Sequence, residues 1–599
     1  MILKELADLA RREGLMEDPD YEPKPVRWVV SIGRAGKYLG VTSPTGLPDA
    51  KGKVRPKVFQ VPRWPVRASG SAANFLTDKP EYALGFDPDD DPKKTGKLAK
   101  HRALFRDYVE SAVAIAPQDE GLASLLDFLR DDAAVALAVD AIREQAVAND
   151  VVAFRYSDGA ESGLVHDRDA VRAAWKSLRH PVGDVVECLV ACVGCGRPSV
   201  PIDVHPQVKR VPGGSSSGIT LISANASAYV SLGLAITASA PICRDCADAY
   251  GTALNRLFHP QYTAPSGETL PRRTFRLSDD TAVVYWASGA DELGFANELG
   301  DIDFVDPSLA GALFEAVHRG RDASLEDPTA FHALIVTGGQ GRATLRGYFQ
   351  STVGEIVRHL RAYFDDIDVV RPYANATRWP ALSWLVRSLA PQGEFKNVDP
   401  DLAGRLFLAI LGGTPFPREV LAAAVRRVRS ERTDSRGGKH SRERMALVRA
   451  TLNRLRRAGD PRINTLITKE ITVVLDPECR APAYGLGRLF AVLEKLQADA
   501  IGDPGASIAD RFYGAASATP AAVFATLLRK AQHHQAKLDG AFYPRLLQEI
   551  LDLLPAEPFP STLTLEEQGL FALGYYHQKA ELWRKKAKSE DAAATPAAG

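Results

Sequence analysis

The chain has 599 residues, with 74 basic side chains balanced by 74 acidic ones. Zero net charge excludes a global positive field, so any nucleic-acid contact must rest on local patches. With 45% hydrophobic and 25% charged residues the composition is that of a globular protein of roughly 3–4 domains, and no apolar run approaches the ~20 residues of a membrane helix.

From the N-terminus, MILKELADLARREGL sets Ile2, Leu3, Leu6, Leu9 and Ala10 on one helical face and lacks a signal-peptide apolar core. Residues 26–32 and 37–41 are β-type runs around Gly33-Arg34-Ala35-Gly36, a hairpin signal. Lys51, Lys53, Arg55, Lys57, Arg63 and Arg67 then accumulate with no acid among them, interleaved with Phe59 and Trp64. Such a run is either an edge strand blunted by lysines or a strand that tracks phosphates. The small residues Ala68 to Ala73, with Ser69, Gly70 and Ser71, let a backbone approach a groove floor, and Asn74 can hydrogen-bond a base edge. Asp87 to Asp91 reads as a solvated loop, and residues 101–155 repeat apolar positions at helical spacing. His166-Asp167 invites comparison with metal nucleases, but a catalytic metal needs several convergent ligands.

Four of the six cysteines form two C-x2-C doublets, Cys192/Cys195 and Cys243/Cys246. Two thiolates on a tight turn take two corners of a zinc tetrahedron, and a second such knuckle closes a structural site. The alternative is four ordinary buried cysteines; Cys188 and Cys479 fit neither doublet and are read as inert. Doublets without a wider cysteine framework favour a reducing compartment, here the cytoplasm. Between the knuckles lie His205, Lys209, Arg210 and Gly213-Gly214-Ser215-Ser216-Ser217-Gly218. Ser215, Ser216 and Ser217 with their main-chain N–H groups suit phosphate oxygens, and the same loop can be a plain hairpin turn.

Residues 333–349 contain glycines but no Gly-Lys-Ser/Thr, so a hairpin is expected and ATP binding is not. After Pro391-Gln392-Gly393 the pattern turns helical. Arg426, Arg427, Arg429, Arg432, Arg436, Lys439, Arg442, Arg444, Arg449, Arg454, Arg456 and Arg457 make the most basic part of the chain. This is either a solvated face or a nucleic-acid backbone surface. From Lys585 an Ala-rich polar tail is expected to be disordered.

The expected fold class is α+β: a large mixed N-terminal domain with β-hairpins and a zinc-ribbon-like module, then a C-terminal α-helical bundle. The expected divisions are 1–180 and 276–392 for the mixed domain, 181–275 for the knuckle module, 393–585 for the bundle and 586–599 for the tail.

Several blocks carry a resemblance. They are Arg67 to Asp78 with Tyr82-Ala83-Leu84-Gly85, then Ser223 to Tyr229, Arg480 to Tyr484, Gly487 to Lys495, Arg511-Phe512-Tyr513 and Leu573 to Gln578. In this order, over nearly the full length, they resemble the large subunit of the subtype I-C (Dvulg type) CRISPR interference complex, Cascade. The paired knuckles depart from that pattern, so zinc there would replace packing rather than serve recognition.

The resemblance implies a non-catalytic subunit that reads the protospacer-adjacent motif on double-stranded DNA, promotes opening and R-loop formation, and supports antiviral defence. Ser69, Gly70, Ser71 and Asn74 would read the groove. Lys51, Lys53, Arg55, Lys57, Arg63 and Arg67 would grip phosphates, and Lys209, Arg210 and Ser215 to Ser217 would form a second loop. Arg426, Arg427, Arg429, Arg442 and Arg449 would line the displaced strand. Implied partners are guide RNA, target DNA, the backbone and handle-binding subunits, and a helicase-nuclease. A small subunit made from an internal start, at Met445 or near Val473 and Val474, completes the set. The alternatives are a zinc-containing nucleic-acid-processing enzyme and a purely structural ribonucleoprotein scaffold.

Overall fold

The computed structural model describes residues 2–16, 18, 20–46, 54–64, 72–159, 161–179, 190–223, 240–260, 262–263, 269–270, 273–288, 328–371, 378–430, 441–502, 506–556 and 559–593. The chain divides into two units. The first comprises residues 1–208, 220–256 and 262–270; the second comprises 209–219, 257–261 and 271–599. No helix among the described residues is long and apolar enough to cross a membrane.

In the first unit the opening helix spans Ile2–Arg12 and buries Leu3, Leu6, Ala7, Leu9 and Ala10. The expected hairpin forms from Trp28–Ile32 and Tyr38–Thr42. Trp28–Ile32 also pairs in parallel with Val152–Ser157, whose outer neighbour is Ser162–Leu164, so the sheet has four strands. Residues 152–155, expected to be helical, are thus a strand. Their run Val152-Ala153-Phe154 is buried on both faces, as a parallel pair requires. On one face Val30, Ile32, Phe154 and Tyr156 meet Phe105, Leu125, Phe128 and Ile142 of the helices Pro92–Ile115, Glu120–Arg130 and Asp132–Ile142. On the other, Val29 and Ala153 meet Val61 of the strand Val58–Pro62, which pairs with Tyr21–Pro25.

The second unit opens on an antiparallel meander of Thr274–Arg276, Thr281–Ala287, Ala330–Gly338 and Ala343–Thr352. The last two strands are the hairpin expected at 333–349. Phe275, Val283, Tyr285, Phe331 and Ile335 on one face share a core with Ile356, Leu360, Phe407, Ile410 and Leu447 from three helices. The expected boundary near residue 392 therefore does not separate two cores, because the sheet needs those helices to cover its apolar face.

A second helical core is built around Pro482–Ile501, buried from Ala483 to Leu496. The final helix, Leu565–Ala593, crosses it with no room for side chains between the backbones. A Cβ on Gly487 would stand 2.0 Å from the Phe571 carbonyl, and one on Gly574 would stand 2.1 Å from that of Tyr484. The final helix extends through the segment from Lys585 expected to be a disordered tail as far as Ala593; Ala, Lys and Glu are strong helix formers.

A cysteine cluster and candidate nucleic-acid surfaces

The two C-x2-C doublets converge. Cys192 follows the strand Val190–Ala191, which turns back onto Pro198–Ser199, and Cys246 lies in the first turn of the helix Arg244–Leu257. The Sγ atoms of Cys192, Cys195, Cys243 and Cys246 all lie within 4.8 Å of one another, with Cys195 and Cys243 at 3.9 Å. A Zn–S bond of ~2.3 Å sets the edge of a tetrahedron near ~3.8 Å, so the donor set fits zinc in both kind and spacing. Main-chain N–H groups of Gly194 and Cys243 donate to Cys192 Sγ at 3.3 Å each, and Arg11 Nη2 donates to Cys246 Sγ at 3.2 Å. Burial would raise the Cys195 thiol, but the Arg197 backbone N–H and guanidinium and the neighbouring thiols outweigh it, bringing it to about 6. The N–H and guanidinium donors favour thiolate, the form that binds a metal, at Cys195 and Cys246, while the bond with Cys246 and then burial push the Cys243 thiol up. Arg11 is 235 residues from Cys246, and no local signal announces it. Cys479 is half-buried against the helical core, where burial pushes its thiol up; Cys188 lies outside the described residues.

Of the basic run, Arg55 and Lys57 are exposed, with Lys57 Nζ 5.2 Å from the centre of the Phe59 ring. Arg63 turns inward: its Nη2 donates to the Tyr21 carbonyl at 2.8 Å, its Nε stands 3.9 Å from Asp248, and burial lowers its pKa. It ties strand to helix and is not a free phosphate grip. Asn74 is also corrected. It is fully buried, with its backbone N–H 2.7 Å and its Nδ2 3.0 Å from the Asp78 carboxylate, so its amide is not offered to a base edge. Lys51, Lys53, Arg67, Ser69, Gly70 and Ser71 lie outside the described residues.

The Gly/Ser loop belongs to the second unit, not with the knuckles that flank it in sequence. Lys209, Arg210, Ser215, Ser216 and Ser217 are exposed. The base of the loop is locked onto the sheet: the Gly338 N–H donates to the Pro212 carbonyl at 3.1 Å, and a Cβ on Gly338 would come within 2.1 Å of that oxygen. Gly213 has φ +74° and abuts Asp280. At the tip, Ser215 and Ser217 hydroxyls bond each other at 2.8 Å. His205 is buried and bonded to the Tyr250 hydroxyl at 2.8 Å, a core position.

The arginine-rich helix, Ser441–Arg457, is mostly interior. Arg449 is 8% exposed, and its guanidinium donates to the carbonyls of Asp365, Asp366, Asp368, Ile471 and Thr472 at 2.8–3.1 Å. Arg454 donates to Asp366 Oδ2 at 2.6 Å and to the carbonyls of Ala409 and Thr414. Arg444 donates to the Ser388 carbonyl at 2.9 Å, and Arg442 to that of Arg378 at 2.5 Å. Helices end with unpaired carbonyls and a negative dipole end, and a guanidinium with five N–H donors answers both. Arg449 is therefore a structural clamp and not a strand contact. Arg426 and Arg429 remain exposed on the helix Arg418–Ser430, with Arg427 half-buried beside them; Arg432, Arg436 and Lys439 lie outside the described residues.

His166 is fully buried, pushed down to about 4 by that burial, with Asp167 3.9 Å away. Among the described residues the cysteine set is the one group of three or more side chains placed to hold a metal.

No curated protein matches the chain. A family model described as CRISPR-associated protein (Cas_Csd1) matches residues 3–583, from the opening helix to the final one. That span takes in both units, the knuckles and the glycine-crossed helix pair, and the chain belongs to the Cas_Csd1 family of CRISPR-associated proteins, the large subunits of type I-C Cascade.

Proposed function

We propose that this chain reads the protospacer-adjacent motif on duplex DNA for a guide-loaded Cascade, promotes opening of the duplex, and carries out no chemistry itself. The family match across both units carries the reading. It is supported by the exposed Gly/Ser loop with Lys209 and Arg210, whose base is held against the sheet and whose tip offers hydroxyl and main-chain donors. Arg55 and Lys57 add exposed charge in the first unit. Phosphate contacts of this kind position a protein, while pairing with guide RNA reads the long target. Zinc held by Cys192, Cys195, Cys243 and Cys246 would close the knuckles as a structural tether.

The test is binding of the guide-loaded complex, with and without this chain, to duplexes of fixed target and randomised flanks. A short flanking motif enriched only with the chain present, and lost in Lys209→Gln/Arg210→Gln, is the expected result. Unchanged enrichment without the chain makes it a scaffold, and metal-dependent cleavage by the isolated chain makes it an enzyme.

A further inference from the structure

The helix Arg244–Leu257 faces two ways at its N-terminal end. Cys246 turns its thiol to the cysteine cluster, and Asp248, two residues on and so about 200° around the helix, turns elsewhere. Asp248 pairs there with Arg179, the last residue of the helix Asp169–Arg179, and stands 3.9 Å from Arg63 Nε. Arg179 Nε is also 3.4 Å from the Asp20 carboxylate. The Arg63 and Arg179 side chains are only 11% and 6% exposed. Burial and then Arg63 lower the Arg179 pKa to about 10, so the two guanidiniums press on each other between Asp20 and Asp248. Arg63 in turn pins the end of the strand Val58–Pro62: its N–H donates to the Asp20 carbonyl and its Nη2 to the Tyr21 carbonyl, both at 2.8 Å. At the start of the same strand the Lys57 carbonyl accepts the Val26 N–H at 3.0 Å, and the side chains of Arg55 and Lys57 are exposed.

We infer that Asp248 is the positioning residue through which the cysteine-held metal fixes the basic strand of the first unit. Four thiolates on one ion hold the first turn of the helix, and that turn presents Asp248 to Arg63 and Arg179. Farther along, Ala249, Tyr250, Ala253 and Leu254 are buried in their own core, so loss of the ion loosens the first turns and not the whole helix. A carboxylate withdrawn from two nearly buried cations leaves charge that the interior cannot solvate. Arg63 then turns outward, and the strand that carries Lys57 and Arg55 loses its pin. The inference rests on the duplex-reading function above and deepens it, since it ties the metal to the phosphate grip.

The test is hydrogen exchange of the full chain, together with flanked-duplex binding of the guide-loaded complex, for wild type, Asp248→Asn and Asp248→Glu, each with and without a strong chelator. Asp248→Asn should keep one zinc per chain, because Asp248 is not a ligand. Chelator should speed exchange in wild-type peptides covering residues 20–25 and 58–64. It should also weaken duplex binding about tenfold, a usual size for coupling between two sites. The salt slope should become shallower by about 2, since each lost duplex phosphate contact removes ~0.9. Asp248→Asn should give the same changes with zinc in place, chelator should then add little, and Asp248→Glu should restore the wild-type behaviour. Effects of chelator and substitution that multiply overturn the coupling, as does faster exchange spread evenly over the first unit, the mark of general destabilisation. Unchanged exchange at both strands in Asp248→Asn, or loss of its zinc, overturns the positioning role. Exchange that responds as expected in a chain whose complex never binds flanked duplex upholds the coupling and overturns the duplex reading instead.

Discussion

Arg449 shows what a basic residue does when a fold closes around it. Its guanidinium gathers five carbonyl oxygens, three of them at the C-terminal end of the helix Val353–Ile367. Burial lowers the pKa of Arg449, and Asp366 and Asp368 oppose that shift. Arg449→Met keeps the volume of the stem but strands those carbonyls, each costing on the order of 1–3 kcal/mol when buried and unpaired. The expected loss is about 3 kcal/mol or more, read as a lower urea midpoint for the second unit, and Arg449→Lys should rescue little because an ammonium lacks the planar fork. An unchanged midpoint would make the clamp dispensable. The sequence could not tell this arginine from Arg426 or Arg429, since all three sit in helices of the same character. The distinction lies in carbonyls 22 to 84 residues away. Asn74 is a different case. Asn74 and Asp78 stand four apart in Asn-Phe-Leu-Thr-Asp, a spacing that permits the local bond seen here, and weighing that bond would have turned the reading from a groove toward the core.

At the scale of elements, periodicity made the opening helix, both hairpins and most helices legible, because burial acts on every turn or every second residue. The cysteine knuckles were legible for a different reason: their ligand spacing is a local covalent constraint. The placement of the Gly/Ser loop was not legible, because it depends on Gly338, over 120 residues away, allowing a backbone approach. The knuckles yield a direct prediction. Metal analysis of the purified chain should find one zinc per chain, and Cys195→Ser or a strong chelator should remove it. Proteolysis should then quicken at the two knuckles, around residues 190–199 and 240–250, since the strands Val190–Ala191 and Pro198–Ser199 and the first turns of the helix Arg244–Leu257 have little core of their own. A chain that carries no zinc and resists protease equally with and without chelator would make the four cysteines plain packing.

At the scale of the whole molecule, each unit buries a histidine that is neutral in the folded state. His166 lies in the first unit and His577 in the second, and burial lowers them to about 4 and about 3. In the unfolded chain both titrate near ~6.5. Above that pH neither state binds a proton, so the histidines leave stability untouched. Below it the unfolded chain takes up protons that the folded one refuses, and stability falls until the folded pKa is reached. At ~1.4 kcal/mol per pH unit the full loss is about 3 kcal/mol for His166 and about 5 kcal/mol for His577. Denaturant unfolding at pH 7.5, 5.5 and 4.5 should show a progressive loss. Zinc release would also weaken the first unit on acidification, so the decisive comparison is made in the second, where no cysteine cluster occurs among the described residues. His577 bonds the Tyr484 hydroxyl at 2.9 Å beside the Gly487–Gly574 crossing. His577→Asn, whose amide stands where the imidazole Nδ1 does, can keep that bond but cannot take up a proton, so it should flatten the acid limb of the second unit while costing little at pH 7.5. An acid limb as steep in this variant as in the wild type would mean that carboxylates, not the buried imidazole, set the acid stability of the bundle.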